Sequence, residues 1–349
     1  MNGGTGRRPA GRGVGGIGLR GLGLDGLRAP ARSARSRDGS WEIATGLPHP
    51  RLRPGVISYR GMRFALPGPR RRLEVPIGAV TLLLGFDRPV RITGLAGSTR
   101  PSVSLVSVLS GLCTEPVMGE HDGRLAGIEV LLTPWAAFTL FGTALHELSH
   151  RNIDPDALDL GGPAHGRWES VGELAAALGD LPSWTQRFAL LDDAFARWAE
   201  SGPPSSARTV RAWGELVRTQ GAAPVAHIAE EVGWSVRQLE NRFREQIGIG
   251  PKAAGRVLRL QRARRLLAAG RSQAETAALC GFYDQAHLSG EFKAMTGCTP
   301  GEFSVARRRG PLPGGPPQPD RLAGEPTSLI LPSDPSARAA FFSKTRGRR

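Results

Sequence analysis

Two sets of side chains in this 349-residue chain have the types and spacing to do chemistry. The first is His146-Glu147-Leu148-Ser149-His150. Two histidines four apart on a helix can hold a zinc ion, with the glutamate between them as general base for hydrolysis. The surroundings suit that chemistry poorly. Arg151 follows the second histidine directly, Asp154-Pro155 ends any helix there, and no third histidine follows. Glu169 or Glu173 would have to supply the missing ligand from another segment. A zinc metalloprotease is therefore the alternative reading. The ordinary one is that Leu145 and Leu148 pack while both histidines face solvent or an interface. The second set is Arg237, Glu240, Asn241 and Arg244, which share one helical face at i, i+3, i+4 and i+7. Arginine can grip guanine bidentately or bind phosphate, asparagine can grip adenine, and glutamate can accept from cytosine. Such a face is often merely solvated, so its surroundings must decide.

Those surroundings occur twice. Residues 228–251, IAEEVGWSVRQLENRFREQIGIGP, are echoed by residues 276–300, TAALCGFYDQAHLSGEFKAMTGCTP. Ala229, Gly233 and Trp234 match Ala277, Gly281 and Phe282 at an offset of 48; Leu239, Phe243, Gly248 and Pro251 match Leu288, Phe292, Gly297 and Pro300 at an offset of 49. The one-residue slip falls in the turn after the glycine. Each copy reads as a short helix, a glycine turn and a second helix with one polar face, the plan of a helix-turn-helix. In the second copy Gln285, Ser289 and Lys293 lie opposite Leu288 and Phe292. Residues 207–221 read as a helix ahead of the first unit. KAAGRVLRLQRARRLLAAG, 252–270, reads as a basic helix of about 28 Å between the units.

Charge divides the chain in the same place. The net charge is +15, but residues 41–206 carry a net of −2 and residues 207–306 a net of +5. The rest lies toward the two ends, in residues 1–40 and 307–349; residues 1–40, Gly/Arg-rich, and residues 310–349, Pro/Gly-rich, both read as disordered. Three cysteines, Cys113, Cys280 and Cys298, have no metal or redox spacing, which fits a reducing compartment. No signal peptide and no apolar run long enough to span a membrane are read, so the expected location is cytoplasmic.

The neutral half reads as β-rich, then helical. Residues 75–86, 102–112 and 125–134 look like strands between turns, suggesting a small barrel or sandwich. Residues 172–181 and 184–200 have helical periodicity, with Trp184, Phe188, Leu191, Phe195 and Trp198 on one core stripe. Residues 201–206 form a linker. His49, Glu120, His121 and Asp122 repeat no metal-binding spacing, so no cofactor and no metal are expected.

Residues 207–306, above all CGFYDQAHLSGEFKAMTGCTPGEF (280–303), resemble the DNA-binding domain of the AraC/XylS family of transcriptional regulators. The resemblance implies seven helices, two helix-turn-helix units in adjacent major grooves, and control of transcription, usually gated by an N-terminal domain. The N-terminal half resembles, more weakly, the cupin-like sensor domains of such regulators. The implied architecture is α+β: a disordered tail (1–40), a β-rich sensor or dimerisation domain with following helices (41–200), a linker (201–206), an all-α DNA-binding domain (207–309) and a second disordered tail (310–349). The candidate DNA-binding residues are Arg237, Gln238, Glu240, Asn241 and Arg244 in the first unit and Gln285, His287, Ser289 and Lys293 in the second. Gly290 stands where the family often has a large basic residue, which assigns more of the base reading to the first unit. No enzymatic activity is expected. Double-stranded DNA is the expected partner; RNA polymerase, a small-molecule effector and a second copy of the chain are further candidates.

Overall fold

The computed structural model describes residues 31–36, 39–95, 98–158, 168, 170–308, 316, 322 and 327–331. Two antiparallel sheets face each other in the N-terminal half. The larger runs in the order β1 (Arg32–Ser36), β2 (Gly39–Gly46), β3 (Val56–Ala65), β10 (Arg124–Leu132), β5 (Val80–Gly85), β8 (Val108–Ser110) and β11 (Asn152–Ile153). The smaller runs β12 (Ser328–Leu331), β4 (Arg70–Glu74), β9 (Val117–His121), β6 (Val90–Gly94) and β7 (Val103–Leu105). Strand alternation sends one set of side chains between the sheets and the other outward. On β3, Arg60, Met62 and Phe64 point inward, while Tyr59 and Gly61 turn to the helices α1 (Pro134–Phe141), α2 (Val171–Asp180) and α3 (Trp184–Ser201).

The aromatic stripe of α3 is core, as its spacing implies: Phe188, Leu191, Phe195 and Trp198 are all buried against the larger sheet. Gly61 makes room for it, since a β-carbon there would sit 2.3 Å from the Trp184 ring. A buried polar contact fixes the same helix. Asp192 accepts from the Tyr59 hydroxyl at 2.9 Å and the His49 amide at 2.8 Å, and burial together with this carboxylate pushes the Tyr59 pKa up.

Two strands fall in segments whose composition reads as unstructured. β1 lies in the first tail and pairs with β2; β12 lies in the second and pairs with β4, Leu329 opposite Leu73. Leu329 and Leu331 are buried, so four residues of a Pro/Gly-rich stretch carry enough apolar surface to complete a sheet edge. Most of both tails lies outside the described residues.

The C-terminal half holds seven helices among the described residues, as the family resemblance implies: α4 (Ala207–Arg218), α5 (Val225–Glu231), α6 (Val236–Gln246), α7 (Pro251–Ala268), α8 (Gln273–Leu279), α9 (Gln285–Thr296) and α10 (Pro300–Arg308). One apolar cluster runs from Leu82 and Trp198 through Phe243 to Phe292, Phe303 and Leu329, joining the two halves.

His146–His150 belongs to that junction and is not a zinc helix. Leu145–Glu147 forms a single 3-10 turn, and His150 takes a left-handed φ of 59°, so the two imidazoles do not share a helical face. Leu145 and Leu148 are buried, and Ser149 donates to the Gly248 carbonyl at 2.6 Å. His150 Nδ1 lies 3.2 Å from the Arg100 guanidinium, and burial plus that cation lower its pKa. Among the described residues no group of three or more His, Cys, Asp or Glu side chains could hold a metal ion.

Between the sheets lies a cavity of about 110 Å³ lined by Met62, Phe64, Leu125 and Ile330, with Arg60, Arg72 and Glu129 among its polar walls. A second space of about 120 Å³ shares Arg72, Glu74 and Glu129 with it. His121 also lines the first cavity. Burial, then the Arg72 charge, lowers its pKa from 6.5 to about 4. The unfolded chain therefore takes up this proton first. The resulting stability is complete above pH 6.5 and is lost as pH falls toward 4. Urea unfolding between pH 7 and 4.5 should show that fall, and it should be shallower in His121→Asn, which keeps an acceptor for the Gly123 amide.

Candidate nucleic-acid interface

Each unit is built by the same local devices. Gly233 (φ +66°) and Gly281 (φ +71°) turn the chain in the left-handed region, with open space around both. The next amide then bonds back to the first helix: Trp234 N donates to Ala229 O at 2.9 Å, and Phe282 N to Ala277 O at 3.0 Å. Ser235 caps α6 immediately after Trp234, whereas Asp284 caps α9 one residue later. The extra residue is Tyr283, 91 % exposed, and it accounts for the slip between the two repeats. Leu239 and Phe243 in α6, like Leu288 and Phe292 in α9, are fully buried.

With those pairs inward, the outermost stripe of α6 is Arg237, Asn241 and Arg244, all exposed. Gln238 is exposed too, but its Oε1 accepts from the Ser235 amide at 2.9 Å in a capping box. Glu240 is half-buried and turned toward α7: a β-carbon on Gly250, the residue capping that helix, would lie 3.2 Å from its Oε2. There a carboxylate favours the positive end of a helix.

In α9 the equivalent outer positions are Ala286, Gly290 and Lys293. Gln285 and Ser289 lie beside them and both reach Gln273 of α8, at 3.4 and 3.5 Å. His287 sits edge-on to Phe282, its Nδ1 accepting from the Tyr283 amide at 3.3 Å. Of the four candidates in this unit, Lys293 alone occupies the outer stripe. Tyr283 was not among the residues picked out by spacing; its signal is an aromatic in a turn with no periodic partner.

Both units meet the β-domain at the same place. Gly248 and Gly297 occupy equivalent positions after α6 and α9, at φ +104° and +76°. A β-carbon on Gly248 would lie 2.7 Å from Ser149 Oγ, and one on Gly297 would lie 2.4 Å from Leu95 Cδ1. The connecting helix is held as well, with Gln261 of α7 accepting from the Gly78 amide at 2.6 Å.

A helix-turn-helix domain model matches residues 228–306. A transcriptional regulator with an AraC-type DNA-binding domain from Chromobacterium violaceum is 30 % identical, covering 29 % of this chain and 91 % of that one, with a TM-score of 0.28. The chain belongs to the AraC-type regulators. It is a DNA-binding transcriptional regulator with an N-terminal β-rich half and a C-terminal helix-turn-helix domain. A DNA-binding transcriptional dual regulator from Escherichia coli K-12 is 23 % identical, covering 29 % of this chain and 93 % of that one, at a TM-score of 0.27. ToxT from Vibrio cholerae is 10 % identical, covering 77 % of this chain and 98 % of that one, at a TM-score of 0.42. No curated protein matches. No helix among the described residues is long and apolar enough to cross a membrane.

Gly290 offers a direct probe of the second unit, because a β-carbon there meets nothing within 4 Å. Gly290→Lys should fold normally and tighten DNA binding. The salt dependence of log K should steepen by about one unit if the new cation reaches phosphate; titrations at several salt concentrations measure this.

Proposed function

We propose that this regulator binds a two-part DNA site, with α6 and α9 in successive major grooves, and that its β-domain adjusts the binding. The observation that carries this reading is the exposed Arg237–Asn241–Arg244 stripe on the second helix of a repeated helix-turn-helix. Arg237 and Asn241 read base edges, and Arg244 holds phosphate. The second unit, with Ala286 and Gly290 outward, reads fewer bases and contributes mainly anchoring through Lys293. In α9, Gln285, His287 and Ser289 support the helix and its turn more than they read bases.

Adjustment through the β-domain is supported by the apolar cavity between its sheets and by its packing on Gly248, Gly297 and Gln261. A small-molecule effector in the cavity would act by favouring one placement of the two halves over another. The protein works without catalysis, in the cytoplasm where its DNA lies. A second copy of the chain and RNA polymerase are the protein partners that such a role calls for.

Arg237→Ala should lower affinity for a selected site by about 1–3 kcal/mol and relax its preference at one base pair. Arg244→Ala should weaken all duplexes alike and reduce the salt slope by about one unit. Fluorescence anisotropy on the selected site and its single-base variants distinguishes the two. Equal losses on every sequence for Arg237→Ala would reassign that side chain to the backbone.

A further inference from the structure

The two units are held to the connecting helix in different ways. In the second, Arg256 of α7 donates through Nε to Glu291 Oε2 at 2.8 Å and through Nη2 to Oε1 at 3.1 Å. The pair spans 35 residues and is about two-thirds shielded, with 34 % and 27 % side-chain exposure. Glu291 follows Gly290 directly and flanks the outer stripe of α9. Its equivalent in the first unit is Arg242, which pairs with Glu245 of its own helix at 2.7 Å, a contact that stays within α6. The first unit is instead fixed from outside its own repeat, by Gln246 accepting from the Ser206 amide at 2.9 Å and by the Ser149–Gly248 contact.

Apolar packing of Leu288 and Phe292 decides which face of α9 is buried, but it tolerates small rolls and slides, because dispersion is not directional. A planar guanidinium bound through two nitrogens to both oxygens of a carboxylate is directional, and it resists rotation in a way one ammonium cannot. Two recognition helices on one rigid body must enter grooves about 34 Å apart in phase. A roll of one helix against α7 moves its contact point along the groove.

We propose that Arg256 and Glu291 are positioning residues that lock α9 onto α7, and so set the spacing at which the two half-sites are read. This rests on the two-unit reading above. The bareness of α9 makes the lock matter more: with Ala286 and Gly290 outward, the second unit has few long side chains to make up an error in placement. Tyr283, at the α9 turn, rides with the same body.

The test uses the full-length chain and a duplex site selected by it from random DNA. The second half of that site is moved by one or two base pairs either way, and in a separate duplex it is scrambled. The wild-type chain is expected to favour one spacing sharply. Glu291→Gln, nearly isosteric, should bind the original spacing roughly three- to tenfold more weakly, bind the scrambled duplex as the wild type does, and lose the preference among spacings. Arg256→Lys should flatten the profile in the same way, since an ammonium cannot make the fork. The exchanged pair, Arg256→Glu with Glu291→Arg, should restore it. Thermal melts report whether each variant is folded. A Glu291→Gln chain that keeps the wild-type spacing profile, whether weaker overall or not, overturns the proposal and leaves the pair a stabilising contact only. A wild-type chain indifferent to scrambling the second half would instead overturn the two-unit reading, and the positioning role with it.

Discussion

A leucine and a phenylalanine four residues apart determine which face of each unit's second helix is turned outward. Leu239 with Phe243, and Leu288 with Phe292, are fully buried, and each pair fixes the rotation of its helix about its own axis. Once they point inward, the side chains on the far side are no longer a matter of choice. In α6 that side carries Arg237, Asn241 and Arg244; in α9 it carries Ala286, Gly290 and Lys293. The glycine turns at Gly233 and Gly281 serve the same end, since the backbone must reverse tightly enough to bring both helices of a unit onto one core. The two units share a scaffold and differ in what they present outward: two arginines and an asparagine on α6, one lysine beside an alanine and a glycine on α9.

The helical half was largely legible in the sequence because its information is local. Periodicity, caps and glycine turns act over a few residues, and a repeat at offsets of 48 and 49 shows them twice. Which polar residue does what was less legible. Glu240 and Ser289 share a face with the outward-pointing residues on a helical wheel, yet the wheel knows nothing of the neighbouring helix that draws them aside, toward Gly250 and Gln273. Gln238 is polar and exposed, but its oxygen is engaged by the Ser235 amide. The β-rich half was legible as strands near residues 80–85, 103–110 and 124–132, not as a pairing order, which depends on partners far away in the chain. β1 and β12 lay hidden because composition averaged over a Gly- or Pro-rich tail conceals four or five apolar or extended residues.

The histidine pair at 146 and 150 illustrates how a motif separates from its mechanism. The letters match a metal-binding helix, but a helix is what the chemistry needs, and this segment is a 3-10 turn that ends in a left-handed residue. Its buried leucines and Ser149 are used to seat the β-domain on the end of α6. Gly297 receives Leu95 at the matching place on α9. The β-domain therefore grips the repeat at two equivalent points, and does so on the residues that have no side chain to keep it away.

β12 gives the chain an order of completion. It pairs with β4 across more than half the sequence, Leu331 beside Arg71, with all seven helices of the DNA-binding half lying between. A ribosome makes the N-terminal end first, so the smaller sheet waits at an open edge while α4 to α10 emerge and fold. Only β12, made after all of them, can close it. The β-domain is finished after the helical half, and a message cut short between α10 and β12 leaves the helices whole and the smaller sheet without its edge strand.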